Sequence, residues 1–171
     1  MSKYKVVFAA AIVLSLLGCS NPEEEAFRAS LIDKALNDDN RKLGDAYLAR
    51  NAQREEVRVL GSGLQYEVLQ SGSGPQPKMH QKVEVSYRGE LVSGEVFDSS
   101  LTRGKSSVFP LTEVIPGWRI ALLKMRAGDR WKVYLPAELG YGARSPSEQI
   151  AANSALVFDI ELLKIVSDEN E

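Results

Sequence analysis

TEVIPGWRIALLKMRAG, residues 112–128, is the stretch on which the fold turns. Val114 and Ile115 are β-branched and suit an extended segment. Pro116 presets φ and Gly117 loosens the backbone, so a turn is expected there. A short helix follows, because Trp118, Ala121, Leu122 and Met125 recur at i, i+3, i+4 and i+7 and share one apolar stripe. Gly128 is expected to end it, with Arg126 in its last turn. A helix this short does not persist alone in water, so neighbouring strands must clasp it. The pattern leaves two readings for Trp118. Its ring either packs into the core like Ala121, Leu122 and Met125, or floors a pocket at the loop mouth beside it.

Outward from this helix the chain reads as strands. Leu64, Tyr66 and Val68 alternate, as do Val83, Val85 and Tyr87, and Gly94 suits the turn after Leu91. Val96 to Asp98, Ser107 to Leu111, Arg130 to Leu135 and Ala155 to Ile165 complete five or six strands with hairpin-length links. The expected fold is α+β, a curved antiparallel five- to six-stranded sheet around one short helix, preceded by N-terminal helices. Gly61-Ser62-Gly63 and Gly72-Ser73-Gly74-Pro75 read as turns and not as phosphate cradles, since no Lys-Ser/Thr follows them.

The segment from Asn21 to about Arg58 reads as helix. Pro22 with Glu23 to Glu25 makes a favourable start. Phe27, Leu31 and Ala35 form one stripe, and Ile32 and Leu36 lie beside it. Asn37 to Asn40 interrupts, with Asn40 as a candidate cap of a second helix whose apolar side is Leu43 and Tyr47. Two such helices need a partner, either the following domain or a second chain.

The N-terminus is an address. Lys3 and Lys5 precede an apolar run of twelve residues, Val6 to Leu17, too short to span a bilayer comfortably and right for a signal peptide. It ends in Leu16-Leu17-Gly18-Cys19, which resembles the bacterial lipobox, and Cys19 is the only cysteine of the 171 residues. Loss of residues 1–18 removes two lysines and no acid, leaving 19 basic and 23 acidic residues, net −4. That balance, without a basic block, gives nucleic-acid binding no support. Resemblance to bacterial lipoproteins implies lipidation at Cys19. With Ser20 next to it, the implied place is the outer membrane of a Gram-negative bacterium, facing the periplasm.

Four separated runs, VEVSYRGELVSGEVFDSS (83–100), VIPGW (114–118), PAELGYG (136–142) and NSALVFDIELL (153–163), resemble the FKBP-type peptidyl-prolyl isomerases in order and spacing. The lead-in at 46–69 looks like the bacterial branch that includes the macrophage infectivity potentiators and periplasmic FKBP chaperones. The resemblance divides the chain into a signal peptide (1–18), a helical segment and linker (19–60), the isomerase domain (61–166) and an acidic tail (167–171). It implies rotation about X–Pro bonds of exported proteins without cofactor, metal or covalent step. It also implies macrolide inhibitors as ligands of the same cleft and a homodimer through the N-terminal helices, which are shorter here than in those relatives.

By that resemblance Trp118 is the floor under the prolyl ring, with Asp98 and Tyr141 completing the catalytic set. Tyr87, Phe97, Val114, Ile115 and Phe158 are walls, and Ile150 contacts substrate from the flap. The Ile115 N–H would hold one substrate carbonyl and the Tyr141 hydroxyl another. For Val114 and Phe158, plain core packing is the competing reading. For Asp98 the competitor is a turn cap ahead of Ser99-Ser100, and Arg103 is its candidate partner. The chain departs from the family at Ser107, where an aromatic is usual, and at Ile150-Ala151-Ala152-Asn153, where two prolines are usual. That loss should loosen the loop. His80 is the sole histidine, so neither a Ser/His/Asp triad nor a typical zinc site can be assembled. Two functions remain from the sequence: a prolyl isomerase, and a non-catalytic binding module or holdase using the same cleft.

Overall fold

In the computed structural model, the described residues are 21, 23–28, 31 and 38–166, and the chain divides into two units, Met1–Asp33 and Lys34–Glu171. The signal peptide, Cys19, Ile32, Ala35, Leu36 and the tail at 167–171 lie outside the described residues. In the first unit residues 23–28 are helical, and Asn21 accepts from the N–H of Glu23 through its side chain and of Glu24 and Glu25 through its carbonyl. Among the described residues no helix is long and apolar enough to cross a membrane.

The second unit holds a helix α1 (Asp39–Asn51), strands β1 (Arg58–Val59), β2 (Gln65–Gln70), β3 (Lys82–Leu91), β4 (Val96–Ser99) and β5 (Ser107–Pro110), a helix α2 (Pro116–Leu122), and strands β6 (Arg130–Leu135) and β7 (Leu156–Val166). All seven strands pair antiparallel, in the order β1-β2-β6-β7-β3-β4, with β5 on β3. The six expected strands are present. The seventh, β1, is two residues long and too short to show alternation. The centre is the β3–β7 pair, whose register slips by one residue between Glu84 and Val85. Such a bulge sharpens the local twist and helps to curve the sheet.

Alternation sorts the side chains onto two faces. Val83, Val85 and Tyr87 of β3, Val133 and Leu135 of β6, and Leu156, Phe158, Ile160 and Leu162 of β7 form the main core with α2. The in-between residues Tyr134 and Val157 meet Leu48, Val57 and Ala155 on the opposite face, where α1 lies.

Helix α2 is shorter than expected. Pro116 is already its first residue, not part of a preceding turn, and it ends at Leu122, capped by Leu123. Met125 is fully buried but beyond the helix. Gly128, at φ +92°, shapes the separate turn before β6. The close approach of α2 to β6 requires Gly117, since a Cβ there would run into the Leu135 side chain.

Helix α1 also departs from the sequence reading. Its cap is Asp38, not Asn40: the carboxylate accepts from the N–H of Asn40 (2.9 Å) and of Arg41 (3.2 Å). Its buried face is Gly44, Leu48 and Asn51, while Leu43 is 62% exposed. It ends at Asn51, and two buried amides fasten that end to β2. Asn51 donates to Gln65 Oε1 (2.9 Å), and Gln65 donates to the Leu48 carbonyl (2.9 Å).

Candidate active site

The N-terminus of α2 faces a cleft of about 270 Å³ lined by Tyr87, Phe97, Asp98, Phe109, Glu113, Val114, Ile115, Trp118, Tyr141 and Phe158. Strand β3 brings Tyr87, β4 brings Phe97 and Asp98, β5 brings Phe109 and β7 brings Phe158. Trp118 is 5% exposed. Three rings meet it nearly at right angles: Tyr87 (centroids 4.9 Å apart), Phe158 (5.3 Å) and Phe109 (5.7 Å). Edge-to-face packing locks the indole, so Trp118 belongs to the core and lines the cleft as well. Phe97 stands edge-on to Phe158 at 5.6 Å. Gly89 permits this pair, because a Cβ there would lie 2.7 Å from Phe97 and 2.8 Å from Phe158.

One polar group set borders this apolar wall. The Tyr87 hydroxyl donates to Asp98 Oδ2 (2.5 Å) and accepts from Arg103 Nη2 (2.9 Å), while Arg103 Nη1 pairs with Asp98 Oδ1. The guanidinium lies over the Tyr87 ring, 5.5 Å from its centroid, and also donates to Ser107 Oγ (3.2 Å). The hydroxyl at Ser107 thus becomes an anchor for Arg103. Burial pushes the Asp98 carboxyl upward, but hydrogen bonds from Tyr87 and Arg103 outweigh it and hold the group below its ordinary value. Burial, then the neighbouring Asp98, pushes the Tyr87 phenol up. Asp98 is therefore an ion-pair and hydrogen-bond acceptor at the cleft edge. In the turn that follows, the Thr102 N–H donates to Ser99 Oγ (3.4 Å), and Ser100 ties the segment to β3, its Oγ accepting from the Tyr87 N–H (2.8 Å).

Two donors at the rim have no partner among the described residues. The Ile115 N–H, at the cap of α2, meets no acceptor, and neither does the Tyr141 hydroxyl, on a side chain 37% exposed. Burial, then Asp98, raises the Tyr141 phenol above its ordinary value. The indole N–H of Trp118 is buried and unpaired as well.

The structure gathers eight of the nine expected cleft residues. The exception is Ile150, which is 5% exposed, bridges to Ser147 and packs in the main core instead of lining the cleft. Two lining residues were not anticipated, Phe109 and Glu113. Phe109 had a signal, since it lies two residues beyond Ser107 on the same strand and shares its face. The loop without prolines is tied by other means. Ser145 Oγ lies 2.8 Å from the Ser147 carbonyl and 2.7 Å from that of Ile150, and Ser154 donates to Ala151 (2.8 Å).

A curved antiparallel sheet thus holds a short helix, with an aromatic cleft at the helix N-terminus and free donors on its rim. The chain belongs to the FKBP-type peptidyl-prolyl cis-trans isomerase family. That family's model matches residues 74–163, and the model of the domain amino terminal to FKBP-type peptidyl-prolyl isomerase matches residues 19–68. The FKBP-type peptidyl-prolyl cis-trans isomerase FkpA of Aeromonas hydrophila is 46% identical over 127 residues, covering 74% of this chain and 47% of that protein. The outer membrane protein MIP of Legionella longbeachae is 42% identical over 128 residues, 75% of this chain and 55% of that one. The chain thus spans about half the length of these curated relatives. The crystal structure of FkpA from Escherichia coli superposes with a TM-score of 0.72 at 37% identity, covering 84% of this chain and 70% of that chain.

Proposed function

We propose that this protein is a peptidyl-prolyl cis-trans isomerase acting on exported, incompletely folded proteins in a Gram-negative cell envelope. The observation that carries the reading is the ring-walled cleft over Trp118 with the unpaired Ile115 N–H and Tyr141 hydroxyl at its rim. Resonance holds the X–Pro amide planar behind a barrier of about 18–20 kcal/mol. Left alone the bond turns in tens of seconds or more. Twisting the amide localises the nitrogen lone pair and weakens the carbonyl dipole, so water, which solvates the planar dipolar form, opposes the twist.

Tyr87, Phe97, Phe109, Trp118 and Phe158 exclude that water and clamp the prolyl ring. The Ile115 N–H and the Tyr141 hydroxyl hold flanking carbonyls while the bond rotates. Donors already in place cost no reorganisation at the transition state. Asp98, kept ionised by Tyr87 and Arg103, sets a fixed negative charge at the edge, and no proton need move.

The test is protease-free cis-to-trans isomerisation of a short proline peptide with an apolar residue before the proline. Turnover above the uncatalysed rate supports the reading. Binding of the peptide without turnover would replace it by the non-catalytic chaperone reading.

The same proposal includes a lipid anchor at Cys19 after loss of residues 1–18, an outer-membrane place facing the periplasm, and 61–166 as the catalytic domain behind a helical lead-in at 19–60. Exposed Phe27 and Leu31 support a homodimer through the N-terminal helix. Fatty-acid labelling of wild type and Cys19→Ser tests the anchor, and label retained by the mutant would remove it. Sedimentation of the mature soluble form tests the dimer. Macrolide inhibitors are expected ligands of the cleft, competing with the proline peptide.

A further inference from the structure

The Tyr141 hydroxyl has no partner among the described residues, so the place of this side chain over the cleft depends on the backbone that carries it. That backbone runs from the 3-10 turn Ala137–Leu139 to Asn153, and the first turn of α1 meets it at both ends. Upstream of Tyr141, Arg41 pairs with Glu138. Downstream, Asn40 Nδ2 donates to the Ala152 carbonyl (3.3 Å) and Asn153 Nδ2 donates to Asp38 Oδ2 (3.4 Å). Gly44, one turn along α1, allows Ala155 against the helix, since a Cβ there would lie 2.7 Å from the Ala155 Cβ.

Asn153 is the junction. It is 9% exposed and has φ 58°, a left-handed conformation that asparagine tolerates better than most residues. Its N–H donates to the Gly142 carbonyl (2.8 Å), and the Gly142 N–H donates to Ala137 (2.8 Å). A continuous set of bonds therefore runs from Asp38 through Asn153 to Gly142, the residue next to Tyr141, and on to Ala137.

We propose that Asp38 is a positioning residue: one oxygen caps α1 while the other braces Asn153, so that the N-terminal helix holds Tyr141 over the cleft. The catalytic consequence rests on the isomerase reading; the brace itself does not.

Asp38→Ser separates the two oxygens' roles, because serine is an equally good cap but is too short to reach Asn153. Asn40→Ala leaves the cap intact and removes only the bond to Ala152. In the full mature chain, amide hydrogen exchange at Gly142 and Asn153 is expected to quicken about two- to tenfold in either variant, the scale of one hydrogen bond. For the short proline peptide, kcat/KM is expected to fall by a similar factor of about two to ten. In a Tyr141→Phe background the Asp38→Ser loss should vanish, because the hydroxyl it positions is gone.

Unchanged exchange at Gly142 and Asn153 overturns the proposal. So does an Asp38→Ser loss of equal size with and without the Tyr141 hydroxyl, which would mark a purely structural role. A wild-type protein without turnover would overturn the isomerase reading, and exchange would then still decide the brace.

Discussion

Trp118→Leu tests the cleft most directly, and its cost can be worked out contact by contact. The indole makes three edge-to-face contacts at 4.9, 5.3 and 5.7 Å. Each is worth about 0.5–1.5 kcal/mol beyond area burial, so losing all three costs on the order of 2–4 kcal/mol. The same substitution deletes an indole N–H that is buried without an acceptor. Removing an unmet donor returns about 1–3 kcal/mol. These two terms nearly cancel, so the net cost is mainly the apolar area and cavity lost beside the shorter leucine, below the about 3–5 kcal/mol of a Trp→Ala truncation. The variant should therefore fold.

Its catalytic loss should be larger than its stability loss suggests, because leucine leaves no flat surface beneath the prolyl ring. A fall in kcat/KM of at least about tenfold, about 1.4 kcal/mol of transition-state contact, is expected. The assay is isomerisation of the proline peptide at a temperature well below the variant's Tm, with circular dichroism confirming the fold. A folded Trp118→Leu protein with wild-type kcat/KM would refute the account of the cleft.

Tyr141→Phe keeps the ring and removes the hydroxyl, so kcat/KM for the same peptide should fall about two- to tenfold with no change in Tm. Turnover should be flat between about pH 6 and 8, because Asp98 is held below its ordinary range and Tyr87 and Tyr141 above theirs. The depressed Asp98 pKa adds stability that is complete above the ordinary carboxylate pKa and is lost as pH falls through the folded value; a rate step near neutrality would contradict this. Leu48→Ala empties the contact between α1 and the outer sheet face. It should cost about 2–4 kcal/mol in denaturant unfolding.

The strands and the central helix could be read locally because each is written in neighbouring residues. Alternation along Val83, Val85 and Tyr87 sets a half-buried strand wherever it occurs, and the Trp118, Ala121, Leu122 stripe sets a helix face. Family-like motifs then placed Trp118, Tyr87, Phe97, Asp98 and Tyr141 around one cleft, and the structure assembles them there.

Other features depended on partners distant in the chain. The end of α1 at Asn51 is fastened to Gln65, and its cap also serves Asn153, 115 residues away. Leu43 looked like the inner face, yet α1 turns Gly44 and Leu48 inward because the sheet offers Ala155, Tyr134 and Val157 there. Ile150 turned into the core and Glu113 joined the cleft through the way the loops close over the sheet, while the pairing of β5 with β3 carries Phe109 there. Periodicity reports which face of an element is apolar. Which polar atoms meet across the fold depends on where separate elements are brought together, and only tertiary packing determines that.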